Sequence, residues 1–381
     1  MTTAPAPVRV ARDGILRATA RRTRRAVAAA ATLFLGSAAL VACSPAEGDD
    51  TYVLHYTTYS NSTSDQSQTV QAWAEEVEEL TDGGVTVRFH YSQSLVGADE
   101  AVQATLDGRA DIAQVGSIYA ASDLSMYTVI ELPFETQNPA AQMRAIERLY
   151  EENETYREDF DRQGVRLLYP LPLGIALVGL QEPADSVDDL SGRSIRSGGL
   201  ISEVMLAAGA NPVAMTATDI YESMERGVVD GYTALAIANL PTFGLSTTTP
   251  YVLDPGIGTY SSSIVVINEE LFQSMPEEYQ DALLQASANG ISHGLEAMGA
   301  AGEQGCEDLR GSGAEFQSLP EAEIAEWQEE AAVAEGWVAR YEERGYDAES
   351  VLADYRRIVA EEEAQSDYAD PLVACMEGGD R

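Results

Sequence analysis

The chain carries one short unit twice, and that repetition constrains its fold more than any other feature. In the first copy, Ser94 to Glu100 leads into a helix bearing Val102 and Leu106, Gly108 ends it, and Asp111-Ile112-Ala113-Gln114-Val115 reads as a buried strand. In the second, Thr216-Ala217-Thr218-Asp219 has the form of a helix start. Ile220 and Met224 supply the apolar stripe there, Gly227 closes the helix, and Val228 to Gly231 enters a strand. Each joint is Gly-x-x-Asp. One such string says little, but two at equivalent helix-to-strand joints predict two α/β lobes of similar plan, with sites at the carboxyl ends of strands. A length of 381 residues with 45% hydrophobic content is enough for two cored lobes.

The flanking pattern fills in the lobes. Thr51 to Tyr59 reads as a strand, Thr69 to Leu80 as a helix with Val70, Trp73, Val77 and Leu80 on one face, and Val85 to His90 as a second strand after the Asp82-Gly83-Gly84 turn. Arg166 to Val178, broken by Pro170, Pro172 and Gly174, is expected to cross between lobes. Tyr251 to Tyr260 is expected to cross back through the Asp254-Pro255-Gly256 turn, before a strand over Ser261 to Asn268. Two crossings make a hinge. From Pro276 onward the chain is expected to be almost wholly helical. The expected fold class is a two-lobed α/β architecture with hinge crossovers and a helical carboxyl-terminal region. Its expected divisions are lobe I over 51–172 plus 262–302, and lobe II over 173–261 plus 303–381.

The amino-terminal segment reads as an address. Arg9, Arg12, Arg17, Arg21, Arg22, Arg24 and Arg25 precede an apolar run from Ala26 to Ala42, the pattern of a signal peptide over 1–42. The run ends in Leu40-Val41-Ala42-Cys43, which resembles a bacterial lipobox. On that reading Cys43 receives a diacylglyceryl group, 43–50 is a tether, and the protein is extracytoplasmic and lipid-anchored to the cell membrane. An uncleaved anchor would want a stop-transfer flank, which is absent. Arg24-Arg25 leaves both Sec and Tat export open. With Cys43 lipidated, Cys306 and Cys375 remain as an even pair in an oxidising compartment, and a disulfide between them is expected. Free thiols are the alternative; metal binding is disfavoured because His293 has no ligand-spaced partner.

Charge then excludes whole classes. There are 62 acidic and 23 basic residues, every one of the latter arginine, for a formal charge of −39. Without lysine there is no Walker lysine, no Schiff base and no Ser-Lys nucleophile. A pI near 4.2 excludes nucleic acid as a partner. Removing residues 1–42 leaves 61 acids against 16 arginines, so an anionic ligand needs a local arginine. Catalysis has no constellation to rest on. His55, His90 and His293 fit no H-E-x-x-H spacing, G-x-S-x-G and G-x-G-x-x-G strings are missing, and acid pairs such as Asp188-Asp189 belong on solvated faces. No cofactor, metal or enzymatic activity is expected.

Asp188-Asp189-Leu190-Ser191-Gly192-Arg193-Ser194-Ile195-Arg196 resembles the D-L-x-G-x-x-I-R signature of solute-binding receptors of TRAP transporters, the dicarboxylate-receptor family. The likeness continues through Ala208 to Met215, Asp219-Ile220-Tyr221 and Gly227 to Gly231, with support from Gly97 through Leu132-Pro133-Phe134 and from Ile264 to Asn268. It implies a receptor that closes over a small organic acid and hands it to the membrane permease subunits of a TRAP transporter, with Arg196 gripping the ligand carboxylate. A guanidinium suits that task because its planar fork matches two carboxylate oxygens. The chain departs from the family at Ala176, where many members carry a second arginine, and at Ala234, where many carry asparagine. Both departures favour a monocarboxylate with an apolar or aromatic body over a dicarboxylate. Further candidate ligand contacts are Tyr59, Asn61, Ser117, Tyr119, Tyr232, Thr233 and Tyr260, which follow predicted strands or crossings. Asp111 and Asp230 are read as joint residues. The alternatives are a binding protein of the same shape serving an ABC-type transporter or a sensor, and an exported lipoprotein hydrolase.

Overall fold

The computed structural model describes residues 51–378. The signal segment and Cys43 therefore lie outside the described residues. Eleven strands appear in chain order: β1 (Tyr52–Thr57), β2 (Val85–His90), β3 (Ile112–Gly116), β4 (Val165–Pro172), β5 (Val178–Leu180), β6 (Ser194–Ser197), β7 (Asn211–Ala214), β8 (Gly231–Tyr232), β9 (Tyr251–Asp254), β10 (Ser262–Asn268) and β11 (Glu315–Ser318). They form two sheets, ordered β2-β1-β3-β10-β4 and β11-β9-β5-β8-β6-β7. In the first, β1 runs parallel to β2 and β3 while β10 is antiparallel to both its neighbours. In the second, β6 runs parallel to β7 and β8 while β5 is antiparallel to β8 and β9. Helices pack against both, giving the two-lobed α/β architecture that the sequence predicts.

The repeated joints are built alike. Gly108 and Gly227 stop their helices with φ of +74° and +66°, a conformation that costs glycine nothing. Asp111 then donates its amide to the His55 carbonyl (2.9 Å) and accepts the His55 amide on Oδ2 (2.7 Å). Asp230 does the same with Ser194, at 2.7 Å for each bond. Each aspartate thus stitches the turn onto the neighbouring strand, β1 or β6, as a joint residue should.

Three details differ from the pattern reading. The first helix begins at Asp65, because Ser64 caps it by accepting the Ser67 amide (3.1 Å). Strand β4 runs straight through Pro170 to Pro172; it lies at a sheet edge, where a missing N–H costs no ladder bond. The crossing is therefore confined to residues 173–177. The carboxyl-terminal region is almost wholly helical, as expected, and the detail the pattern leaves out is Glu315–Ser318, which pairs in parallel with β9 and closes the edge of the second sheet.

The crossings at 173–177 and 255–261 run side by side. Ile175 bridges Thr259, and the Ala176 amide donates to the Gly258 carbonyl (2.9 Å). A long helix, Gly290–Ser312, lies along both lobes. Gly290 and Gly294 face Tyr169 and Pro172 of the first, while Gly302 and Gly305 face Pro371 and Ile237 of the second. A Cβ on Gly305 would stand 2.5 Å from the Ile237 carbonyl oxygen, so glycine is what permits this approach. Position 302 falls within this helix. Cys306 on the helix is bonded to Cys375 of the helix Pro371–Glu377, with Cα atoms 5.8 Å apart. Asp370 caps that last helix through Oδ1 and Leu372 N (2.8 Å), and its Oδ2 accepts the Ile175 amide (3.0 Å), so the carboxyl terminus braces the hinge. Among the described residues, no helix is long and apolar enough to cross a membrane.

Candidate functional site

A narrow cleft lies between the lobes. Its walls come from the carboxyl ends of strands. Tyr59 follows β1, Gly116 and Tyr119 follow or end β3, Arg196 stands near the end of β6, Ala217 follows β7 and Ala234 follows β8. Leu173 and Tyr260 contribute from the two crossings. This is where parallel strands in an α/β sheet converge their loops.

Arg196 is the cation of this lining, with 0% exposure. Its guanidinium is held by carbonyls alone. Nε and Nη2 donate to Met215 O at 3.2 and 3.1 Å, and Nη1 donates to Thr233 O and Ala234 O at 3.0 and 3.2 Å. Four of its five N–H donors are thereby spent, and among the described residues no carboxylate pairs with it. The carbonyl dipoles fix the fork and favour its charge without neutralising it. A carboxylate reaching it would find one free Nη2 donor and would complete a two-point grip by displacing one of the 3.2 Å carbonyl contacts.

Ala234 presents its carbonyl to this fork from a left-handed backbone, φ +55°, which is strained for alanine. Ala234→Gly is expected to raise the stability of the protein by about 0.5–1 kcal/mol in urea unfolding. A loss of stability would show that the strain has been misplaced.

The opposite wall is polar beneath and aromatic above. Tyr59 donates to or accepts from Ser263 Oγ (2.7 Å) and stands edge-on to Tyr119, ring centroids 5.5 Å apart. Below them Gln114 Nε2 donates to Gln66 Oε1 (2.5 Å) and Ser263 Oγ (3.0 Å), fixing Gln66 at the cleft floor. Burial pushes the Tyr59 and Tyr260 phenols above their usual range; at Tyr260 the Arg196 charge offsets part of that rise. Both are neutral donors across the ordinary pH range. Asp65 also lines the cleft, and burial pushes its carboxyl up to about 7.

Of the eight predicted ligand contacts, Arg196, Tyr59, Tyr119 and Tyr260 line the cleft. The other four are placed outside the lining and are used elsewhere. Tyr232 bonds Thr249 Oγ1 (2.6 Å) within the second lobe's core, and Thr233 Oγ1 donates to Leu177 O (2.8 Å). Ser117 pairs with Ser261 Oγ (2.6 Å), and Asn61 Nδ2 reaches across to Thr242 O (3.3 Å), a contact between lobes. Ala176 is fully buried in the core and does not line the cleft, so an arginine there would meet packed side chains. Asp65, Gln66, Asn239, Thr242 and Phe243 line the cleft without having been singled out in the sequence.

A cleft between two α/β lobes, hinged on paired crossings and carrying a buried, acid-free arginine, defines a solute receptor of the periplasmic-binding type. Residues 56–338 match the model described as bacterial extracellular solute-binding protein, family 7 (DctP), and the chain belongs to that family. The ectoine-binding periplasmic protein TeaA of Halomonas elongata is 23% identical over 222 residues, spanning 55% of this chain and 63% of TeaA. Among solved structures, a TRAP solute-binding protein of Rhodoferax ferrireducens in complex with copurified benzoate superposes with a TM-score of 0.76 at 21% identity, covering 83% of this chain and all of that one. One from Bordetella bronchiseptica with bound (R)- and (S)-mandelate gives 0.72 at 24% identity, covering 81% of this chain and 99% of that one. These relatives are binding proteins, and the TRAP resemblance read from the 188–231 motifs stands with them.

Proposed function

We propose that this protein captures a small organic acid outside the cytoplasm and delivers it to the permease subunits of a TRAP transporter. The observation carrying the reading is Arg196: a fully buried guanidinium, held in place by carbonyls and lacking a counter-ion among the described residues, that lines the cleft between the lobes. Tyr59, Tyr119 and Tyr260 supply the remaining aromatic and hydroxyl contacts. Leu173, Leu235 and Phe243 give the apolar wall that suits a monocarboxylate. The lobes rotate about the 173–177 and 255–261 crossings, and the ligand drives closure only through its preference for the closed state. Export by the 1–42 segment and lipidation at Cys43 belong to the same reading and hold the receptor at the membrane face where a permease works.

A thermal-shift screen over aliphatic, aromatic, keto and sugar acids tests it. At least one carboxylate is expected to raise the unfolding temperature by several degrees at 100-fold excess over its Kd, since that excess is worth about 2.7 kcal/mol. Its primary amide should do nothing. Equal stabilisation by amide and acid would remove the role given to Arg196.

A further inference from the structure

One acidic oxygen in the cleft has no partner. Asp65, the first residue of the helix Asp65–Leu80, is 4% exposed and lines the cleft, and its buried Oδ2 accepts no hydrogen bond. A buried acceptor left unmade costs about 1–3 kcal/mol, and more when charged. The amides of Asp65 and Gln66 lower the carboxyl's pKa in part, and the side chains on either side of it in sequence are engaged elsewhere. Ser64 Oγ donates to Asn61 O (3.2 Å), and Gln66 lies in the Gln114 and Ser263 network. Arg196 is spent on carbonyls and forms no ion pair with Asp65. Tyr260 lies in the field of both, Arg196 drawing its phenol down and Asp65 pushing it up. The cleft therefore holds a cation and an acid that form no ion pair with each other, both within the field of Tyr260.

We propose that the ligand is a small zwitterion whose carboxylate binds Arg196 and whose protonated nitrogen donates to Asp65 Oδ2. The proposal rests on the receptor reading above and narrows its substrate class. A second carboxylate would be repelled by the ionised Asp65, so dicarboxylates are disfavoured. The aromatic wall of Tyr59 and Tyr119 beside Asp65 suits a cationic nitrogen, which is attracted to ring faces. The protein as a whole points the same way. A chain with a formal charge of −39 repels an anion at long range, while a net-neutral zwitterion approaches without that penalty.

The test uses matched pairs that differ in the nitrogen: proline with cyclopentanecarboxylate, phenylglycine with phenylacetate, and 4-aminobutyrate with butyrate, titrated calorimetrically. At least one nitrogen-bearing member is expected to bind ten-fold or more tightly than its partner. Asp65→Asn should erase that preference, bringing the nitrogen-bearing member to within about two-fold of its carbon partner. In the wild type, affinity for the nitrogen-bearing member should rise about ten-fold from pH 5.5 to 8. In that window Asp65 ionises, whereas Tyr59 and Tyr260 stay neutral. Carbon partners binding as tightly in every pair, or a preference that survives Asp65→Asn, would overturn the zwitterion proposal while the carboxylate receptor stood. If no member of any pair bound, the receptor reading would fall with it.

Discussion

Arg196→Lys is expected to weaken carboxylate binding by about 100-fold, and Arg196→Met to abolish it, in protein whose circular dichroism is unchanged. Removing one partner of a buried, hydrogen-bonded charge pair costs about 2–5 kcal/mol, which brackets that factor. Lysine keeps the charge but cannot keep the geometry. Met215 O takes two N–H groups of the fork, and Thr233 O and Ala234 O take two more. A single ammonium cannot hold all three carbonyls and also present two parallel donors to a ligand. The lysine variant should therefore lose the distinction between a carboxylate and a neutral hydrogen-bond acceptor such as the primary amide. Titration calorimetry with the best acid from the screen and with its amide measures this directly. An unchanged affinity for the acid in a folded variant would refute the assignment.

Arg196 was legible in the sequence because the signature that ends on it is local: nine consecutive residues, with β6 and its joint to Asp230 set by short-range rules. The strand ends that wall the cleft were legible for the same reason, since helix stops at Gly108 and Gly227 are written in neighbouring residues. What escaped was decided at long range. Tyr232 looks like a cleft residue from its place after Gly231, yet it pairs in register with Gly179, whose missing side chain makes room for the ring. A Cβ at position 179 would stand 2.2 Å from the Tyr232 ring. No spacing rule pairs residues 179 and 232. Asn61 and Ser117 were likewise claimed by Thr242 and Ser261, partners more than a hundred residues away. Asp65 was invisible for the opposite reason: among 62 acids, one more at a helix start looks like a cap aid on a solvated face.

The protein is expected to be several kcal/mol more stable at pH 5 than at pH 8. Three fully or nearly fully buried acids carry the effect, each pushed up chiefly by burial: Asp65 to about 7, Glu131 to about 7 and Asp370 to about 6. Their hydrogen bonds offset only part of that cost; Glu131 Oε2 accepts the Leu200 amide across the lobes (3.1 Å), while its Oε1 has no partner. Because each folded value lies above the unfolded one, near 4, the unfolded chain releases these protons first as pH rises. Stability is then lost between about pH 4 and pH 7 and stays lost above. A group moved from near 4 to near 7 forfeits up to about 4 kcal/mol, a ceiling that relaxation and water entry lower. Asp159 and Asp254 are raised in the same sense, also by burial. Between pH 5 and 8 His90 pulls the other way, being lowered by burial and by His55 and Arg88, but it is only half-buried and is one group against three. Surface carboxylates lowered by arginine, such as Glu152 and Glu361, act only at lower pH. The unfolding temperature should accordingly fall by on the order of 10 °C between pH 5 and 8. Glu131→Gln with Asp65→Asn should flatten most of that slope. A protein equally stable at both values would mean that these carboxyls are hydrated in the folded state.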